Sequence, residues 1–208
     1  MRRAKNWCSA FRRMHRALSE GASLFRPTIL ALLLAALPIQ AAQQTGEPLQ
    51  LNARGTIQLA FTPGDDAAGL VVEAIRKARR QVLVQAYSFT HKDIAQALVD
   101  AKRRGIDVQV VADRKQMETI ATSRVEWLAE QGVPVWVDAE HAAAHSKVML
   151  IDTGAADAAV ITGSFNFTHA AQFRNAENLL ILRGNPNLAE AFAANWRRHK
   201  IHSFPLRK

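Results

Sequence analysis

The sequence predicts an α/β fold: one domain with a mixed, largely parallel central sheet and helices on both of its faces. Three observations predict it. From residue 56 to residue 137, apolar runs of strand period alternate with stretches of helical period. Three further strands then follow one another with short connections. A long apolar-striped stretch closes the chain, and 49% of the 208 residues are apolar, enough for a substantial core.

The elements are expected in this order. "TIQLAF" (56–61) alternates like a strand and is broken by "TPGDD". Residues 67–80 carry a helical stripe of Leu70, Val71, Ala74, Ile75 and Ala78. "QVLVQAYSF" (81–89) is a strand, 91–105 a helix stopped by Gly105, and 106–113 a strand. Residues 117–131 read as one helix ending at Gly132, and "VPVWV" (133–137) as a short strand. Strands follow at 147–152, 158–162 and 177–182, then a closing helix over 185–200 with Pro186 in its first turn.

The domain divisions are a signal peptide at 1–41, a linker at 42–55, the folded domain at 56–202 and a C-terminal tail at 203–208. The leader places a basic stretch before "TILALLLAALPI", then "QAAQQ". That is the order of a secretory signal, with Ile39 and Ala41 before a cleavage point near Ala41–Ala42. The apolar run is shorter than the ~20 residues of a spanning helix, although an uncleaved anchor is the alternative. Met14 as the true start would give a leader of more usual length. The mature product is therefore expected to be secreted or periplasmic, with no stable membrane insertion.

Charge distribution matters more than its total. Of the formal +9, the first 41 residues contribute seven basic side chains against one acid, Glu20; the rest holds 20 against 17. The body of the protein is only mildly basic, so its pI does not name a partner. The single cysteine, Cys8, lies in the leader, which excludes a cysteine nucleophile or a thiolate–zinc site in the mature chain.

The chemistry is concentrated in "HAAAHSKVMLID", His141 to Asp152. It admits three readings. His141 and His145 at i, i+4 would suit a zinc on a helix, but only alanines lie between them and His145 runs into a strand. Both histidines as loop residues is the plainest reading. The third takes His145, Lys147 and Asp152 together. His145 and Lys147 are two apart at a strand start and share a face, placing an imidazole nucleophile beside an anion-binding ammonium. "GSFNFT" (163–168) follows, with Ser164 and Asn166 as donors to the same phosphate and Gly163 allowing close backbone approach. Glu177 opens the next strand, where a carboxylate would hold the other nitrogen of His145.

On "HSKVMLID", "GSFNFT" and "AENLLIL" the chain resembles the phospholipase D superfamily, with its His-x-Lys-x4-Asp signature, and within it the small single-motif bacterial Nuc-type endonucleases. "AYSFT" (86–90), 97–113 and "LAEAFAANW" (188–196) extend the resemblance to residues 56–200. It implies the phospholipase D/nuclease fold and a phosphodiesterase with no cofactor and no metal. His145 would attack phosphorus to give a phosphohistidine. Lys147, Ser164 and Asn166 would bind the phosphate, Glu177 would orient His145, and Asp152 would support the site. A second histidine must protonate the leaving alcohol, and the chain holds one motif rather than two. The resemblance therefore implies a homodimer with the two copies of His145 at a shared site. Nucleic acid, DNA or RNA, is the expected substrate; a phospholipase acting on membrane lipids and an inactive phosphate-binding module are the alternatives.

The stretch "TGAADAAVIT" between Asp152 and Gly163 is longer than the family's usual spacing and reads as an enlarged hairpin turn at Gly154 and Asp157. Trp127, Trp136 and Trp196 read as core or interface aromatics. "RKARR" (76–80) and "KRR" (102–104) read as solvated helix ends. His91, His169, His199 and His202 have no evident partner in the sequence, with His169 placed to line the cleft.

Overall fold

Alternating burial along the strands divides the apolar side chains between two faces, and the computed structural model, which describes residues 48–207, packs several helices on one face and the closing helix on the other. The expected signal peptide, its cleavage point and Cys8 lie outside the described residues. The elements are β1 (Thr56–Thr62), α1 (Ala67–Lys77), β2 (Gln81–Ala86), α2 (Lys92–Arg103), β3 (Asp107–Asp113), α3 (Arg114–Thr119), α4 (Val125–Glu130), β4 (Val135–Asp138), β5 (Lys147–Ile151), β6 (Ala159–Gly163), α5 (His169–Phe173), β7 (Glu177–Arg183), α6 (Pro186–His202) and β8 (Phe204–Pro205).

The strands form one sheet in the order β1-β7-β6-β5-β2-β3-β4-β8. It is the mixed α/β sheet flanked by helices that the sequence predicts, but it is not largely parallel. Only β2–β3 and β3–β4 pair in parallel, and the other five pairings are antiparallel. The reason is connection length. Helical crossovers α2 and α3–α4 carry the chain back across the sheet, as parallel pairing requires, while the tight β5–β6 turn and the shorter β6–β7 link through α5 bring it back antiparallel.

Val71 and Ile75 of α1 and Ile94 and Leu98 of α2 pack on Val82, Val84, Val108, Val110 and Met149. Each such fully buried side chain contributes roughly 1.5–3 kcal/mol of transfer free energy. On the opposite face Ala189, Ala193 and Trp196 of α6 pack on Leu83, Val111, Val148 and Leu150. Neighbouring residues of one strand thus enter different cores, which is the period of two made visible. Trp196 is buried, and its Nε1–H donates to the Val84 carbonyl at 2.8 Å, pinning α6 to the central strand.

Local structure departs from the sequence reading in three places. The single helix over 117–131 is two short ones. Asp113 caps the first by accepting from the Gln116 N–H, so α3 starts early. Hydroxyls then compete for the backbone at the break: Thr119 Oγ1 donates to the Lys115 carbonyl and Ser123 Oγ accepts from the Val125 N–H. Helix α5 was not foreseen; Thr168 caps it through the Ala171 N–H. The expected tail contributes β8, whose Phe204 and Pro205 pair with Val137 and Trp136. Within the expected linker, the Asn52 carbonyl accepts from Asn185.

Candidate functional site

The topology gathers His145, Lys147, Ser164, Asn166 and Glu177 at one end of the strands. Lys147 at the start of β5 pairs with Ala86 at the end of β2, and the Tyr87 N–H continues the ladder to the Ser146 carbonyl at 2.9 Å. The same extension of β2 reaches Phe89, which bridges Phe167. One segment, 86–91, therefore ties the His-x-Lys stretch to the Gly-Ser-x-Asn stretch. Glu177 begins β7 at this end, beside Gly163 and Ser164 at the end of β6.

His145 is exposed and Lys147 is buried. Lys147 Nζ lies 2.8 Å from His145 Nδ1, 3.3 Å from Nε2 and 2.7 Å from the His145 carbonyl. The Tyr87 ring packs on both: its centroid is 4.1 Å from that of His145 and 4.7 Å from the ammonium. Burial pulls the Lys147 ammonium below the usual lysine range, and the Glu177 charge opposes that pull. Upstream, the buried Asp113 carboxylate accepts from the Ala144 N–H at 2.8 Å, fixing the backbone immediately before His145.

Ser164 and Asn166 differ in their surroundings. Ser164 Oγ accepts from the Asn178 N–H at 3.0 Å and lies 3.3 Å from Asn178 Nδ2, so its hydroxyl proton remains free to donate outward. Asn166 Oδ1 is buried and has no hydrogen-bond partner. A half-turn of that amide would put its N–H2 in the same place. Gly163 has φ +143°, and a Cβ there would sit 2.3 Å from the Asn178 carbonyl oxygen, so only glycine fits against β7.

Two of the expected site residues have partners other than His145 and Lys147. Glu177 does not hold the imidazole: its Oε1 accepts from Asn175 Nδ2 at 3.0 Å, and the side chain bonded to His145 is Lys147. The Glu177 charge favours the protonated form of Lys147. Asp152 lies at the other end of β5, five residues and roughly 17 Å from Lys147 at ordinary strand rise. There its carboxylate accepts the N–H groups of Arg79, Arg80 and Gln81 at 2.9, 2.7 and 2.9 Å. Its own N–H donates to the Gln81 carbonyl, and its φ of 52° is one aspartate tolerates. Asp152 is therefore a clamp on the α1–β2 turn, remote from His145 and Lys147. The enlarged turn after it, with Gly154 at φ +83°, is likewise at the end remote from His145, where Asp157 pairs with Arg79. A groove of about 520 Å³ lined by Arg79, Asp152, Asp157 and Arg183 lies at this end too.

His141 does not join His145. It joins His199 and His202 around the buried Asp138 carboxylate. Burial would raise the Asp138 carboxyl, but hydrogen bonds from His199, His202, His141 and the Glu140 N–H outweigh it and hold the group well below the usual carboxylate range. The sequence reading also missed Tyr87 and Asp113. Both sit where strands β2 and β3 end at the site edge, the place where ligands meet open α/β sheets, and that rule was the available signal.

Comparisons with known proteins find relatives in sequence and in fold. Residues 71–200 match the family model described as "Cardiolipin synthase, PLD-like domain". A phospholipase D of Rickettsia prowazekii is 35% identical over 150 residues, covering 72% of this chain and 70% of that protein. The crystal structure of Nuc from Salmonella typhimurium, a phospholipase D family member, superposes with a TM-score of 0.68 at 36% identity, covering 74% of this chain and 99% of that one. A mitochondrial cardiolipin hydrolase of Danio rerio is 31% identical over 123 residues, covering 59% of this chain and 52% of that protein.

Proposed function

The chain belongs to the phospholipase D superfamily and is a phosphodiester hydrolase, and from that premise we propose that it is a metal-independent nuclease working through a phosphohistidine at His145. The observation that carries this reading is the match to Nuc over 99% of that chain, together with the Lys147 ammonium against an exposed imidazole. The single phosphate-centred site contacts backbone rather than base edges, so low sequence preference is expected.

In the free protein the ammonium holds the ring. An arriving phosphate competes for Lys147 and leaves a ring nitrogen free to attack phosphorus. Lys147, Ser164 and Asn166 then carry the developing charge on the non-bridging oxygens. The leaving alkoxide needs a proton, and His145 of a second copy would supply it. The same imidazole then deprotonates the water that displaces His145 from phosphorus.

A C2 homodimer supplies that second histidine. An uncovered apolar strip supports it: Ile57, Leu59 and Phe61 on edge strand β1 are 64%, 51% and 57% exposed. They pair with Leu182, Leu180 and Asn178 of β7, so the strip runs up to Asn178, which holds Ser164. Phe173 is exposed as well. The same apolar surface, and the names of the Rickettsia and Danio relatives, favour lipid phosphodiesters as the second reading.

One assay separates them. Mature protein is incubated in excess EDTA with plasmid DNA and with phospholipid vesicles, and its mass is followed by sedimentation. DNA cleavage that persists in EDTA, by a dimer, is the expected result. Loss of all cleavage in EDTA by folded protein, or lipid turnover without DNA cleavage, would contradict the nuclease reading.

A further inference from the structure

We propose that Asp138, His141, His199 and His202 form a structural binding site for a divalent transition-metal ion, zinc by preference, separate from the phosphodiester site. The four residues come from two pairs with the same spacing, Asp-x2-His and His-x2-His. The first pair ends β4 and enters the following loop; the second lies on one face of the last turn of α6, at i, i+3. One ligand atom from each of the four lies within 4.8 Å of all the others.

The geometry points to a cation. His141 Nδ1, His199 Nδ1 and His202 Nε2 stand 3.2, 2.8 and 3.1 Å from the same oxygen, Asp138 Oδ2. A carboxylate oxygen offers about two lone-pair directions; His199 and His202 take those of Oδ2, and His141 Nδ1 straddles both oxygens at 3.2 Å rather than making one directed hydrogen bond. A tetrahedral zinc with ligands at about 2.0–2.1 Å holds its donors about 3.3 Å apart, close to the Asp138–histidine separations. The rings are already gathered, with centroids 4.8, 5.1 and 5.2 Å apart. Imidazole and carboxylate donors suit zinc, and the C-terminal end of a helix favours positive charge. Four protein ligands leave no open position, which makes the site structural rather than catalytic.

The position explains what the ion would do. His141 and His145 share one loop, separated by three alanines, and Asp113 holds the last of these. An ion at His141 would anchor the entrance of that loop to the end of α6 and to β4, while His145 remained free for chemistry. Asp138 and His145 lie at the same end of the strands, with β2 and β3 between β4 and β5, a separation of about 14 Å at ordinary strand spacing.

The test uses tag-free full chain stripped with EDTA, then titrated with zinc chloride, with bound metal measured by mass spectrometry and unfolding followed thermally. The expected result is one zinc per chain and a raised unfolding midpoint; at zinc a hundredfold above the dissociation constant, the folded-to-unfolded ratio rises about 100-fold. The double variant His199→Ala/His202→Ala should lose both effects. His141→Ala, at a position whose side chain is 44% exposed, should weaken zinc binding at least tenfold without unfolding the chain. His145→Ala should bind zinc as the wild type does. Folded wild type that takes up no zinc, a double variant that binds it unchanged, or loss of binding in His145→Ala would each overturn the proposal.

Discussion

Replacing His145 with alanine is expected to reduce phosphodiester cleavage by on the order of 10⁵-fold while shifting the unfolding midpoint by no more than about 2 °C. The first figure follows from removing a covalent nucleophile: the Lys147, Ser164 and Asn166 cradle remains, but nothing is left to form the phosphorus–nitrogen bond. The second follows from position. His145 is exposed, and the contacts it gives up are to Lys147 and to the Tyr87 ring rather than to either core. Surface substitutions of this kind stay within about 0.5 kcal/mol. Rates from acid-quenched time courses, with a thermal melt of the same sample, check both. Residual activity above a few per cent would mean that His145 only assists an attacking water.

Asp152→Ala is expected to have the opposite profile: a loss of roughly 3–5 kcal/mol in stability, with cleavage retained by whatever fraction remains folded at low temperature. Three N–H groups converge on this carboxylate, and removing it leaves them partly buried without an acceptor. The group is also pH-sensitive in a definite direction. Burial would raise its pKa, but the N–H groups of Gln81, Arg79 and Arg80 and the charge of Arg79 outweigh it, so it lies below the ordinary carboxylate range. A depressed folded pKa contributes stability that is fully present above about pH 4 and is lost as pH falls through the folded value. The acid limb of the wild-type stability curve should therefore be steeper than that of Asp152→Asn. Unchanged stability in Asp152→Ala would contradict the clamp.

The strands and the helices on either side of β2 were legible because their periods are clean: Val82, Leu83 and Val84 alternate between cores, and Ile94 and Leu98 fall on one helical face. The break between α3 and α4 was not, since it depends on hydroxyl-to-backbone bonds at Thr119 and Ser123 that leave no trace in apolar spacing. Sheet order was also hidden. Nothing in the run of strands says that β1 crosses to pair with β7. In the site, spacing along β5 correctly put His145 beside Lys147. The same spacing carries Asp152 to the far end of the strand, a consequence of strand rise that the linear motif obscures. The His141 cluster was illegible because its partners on α6 are about 60 residues away in sequence.

The central claim, one site completed by two copies of His145, is tested most directly by mixing wild-type and His145→Ala subunits under exchange at fixed total concentration. If both histidines of a dimer are required, activity falls as the square of the wild-type fraction, to about a quarter at equal mixing. A linear fall, to about half, would show that each chain cleaves by itself and would contradict the account.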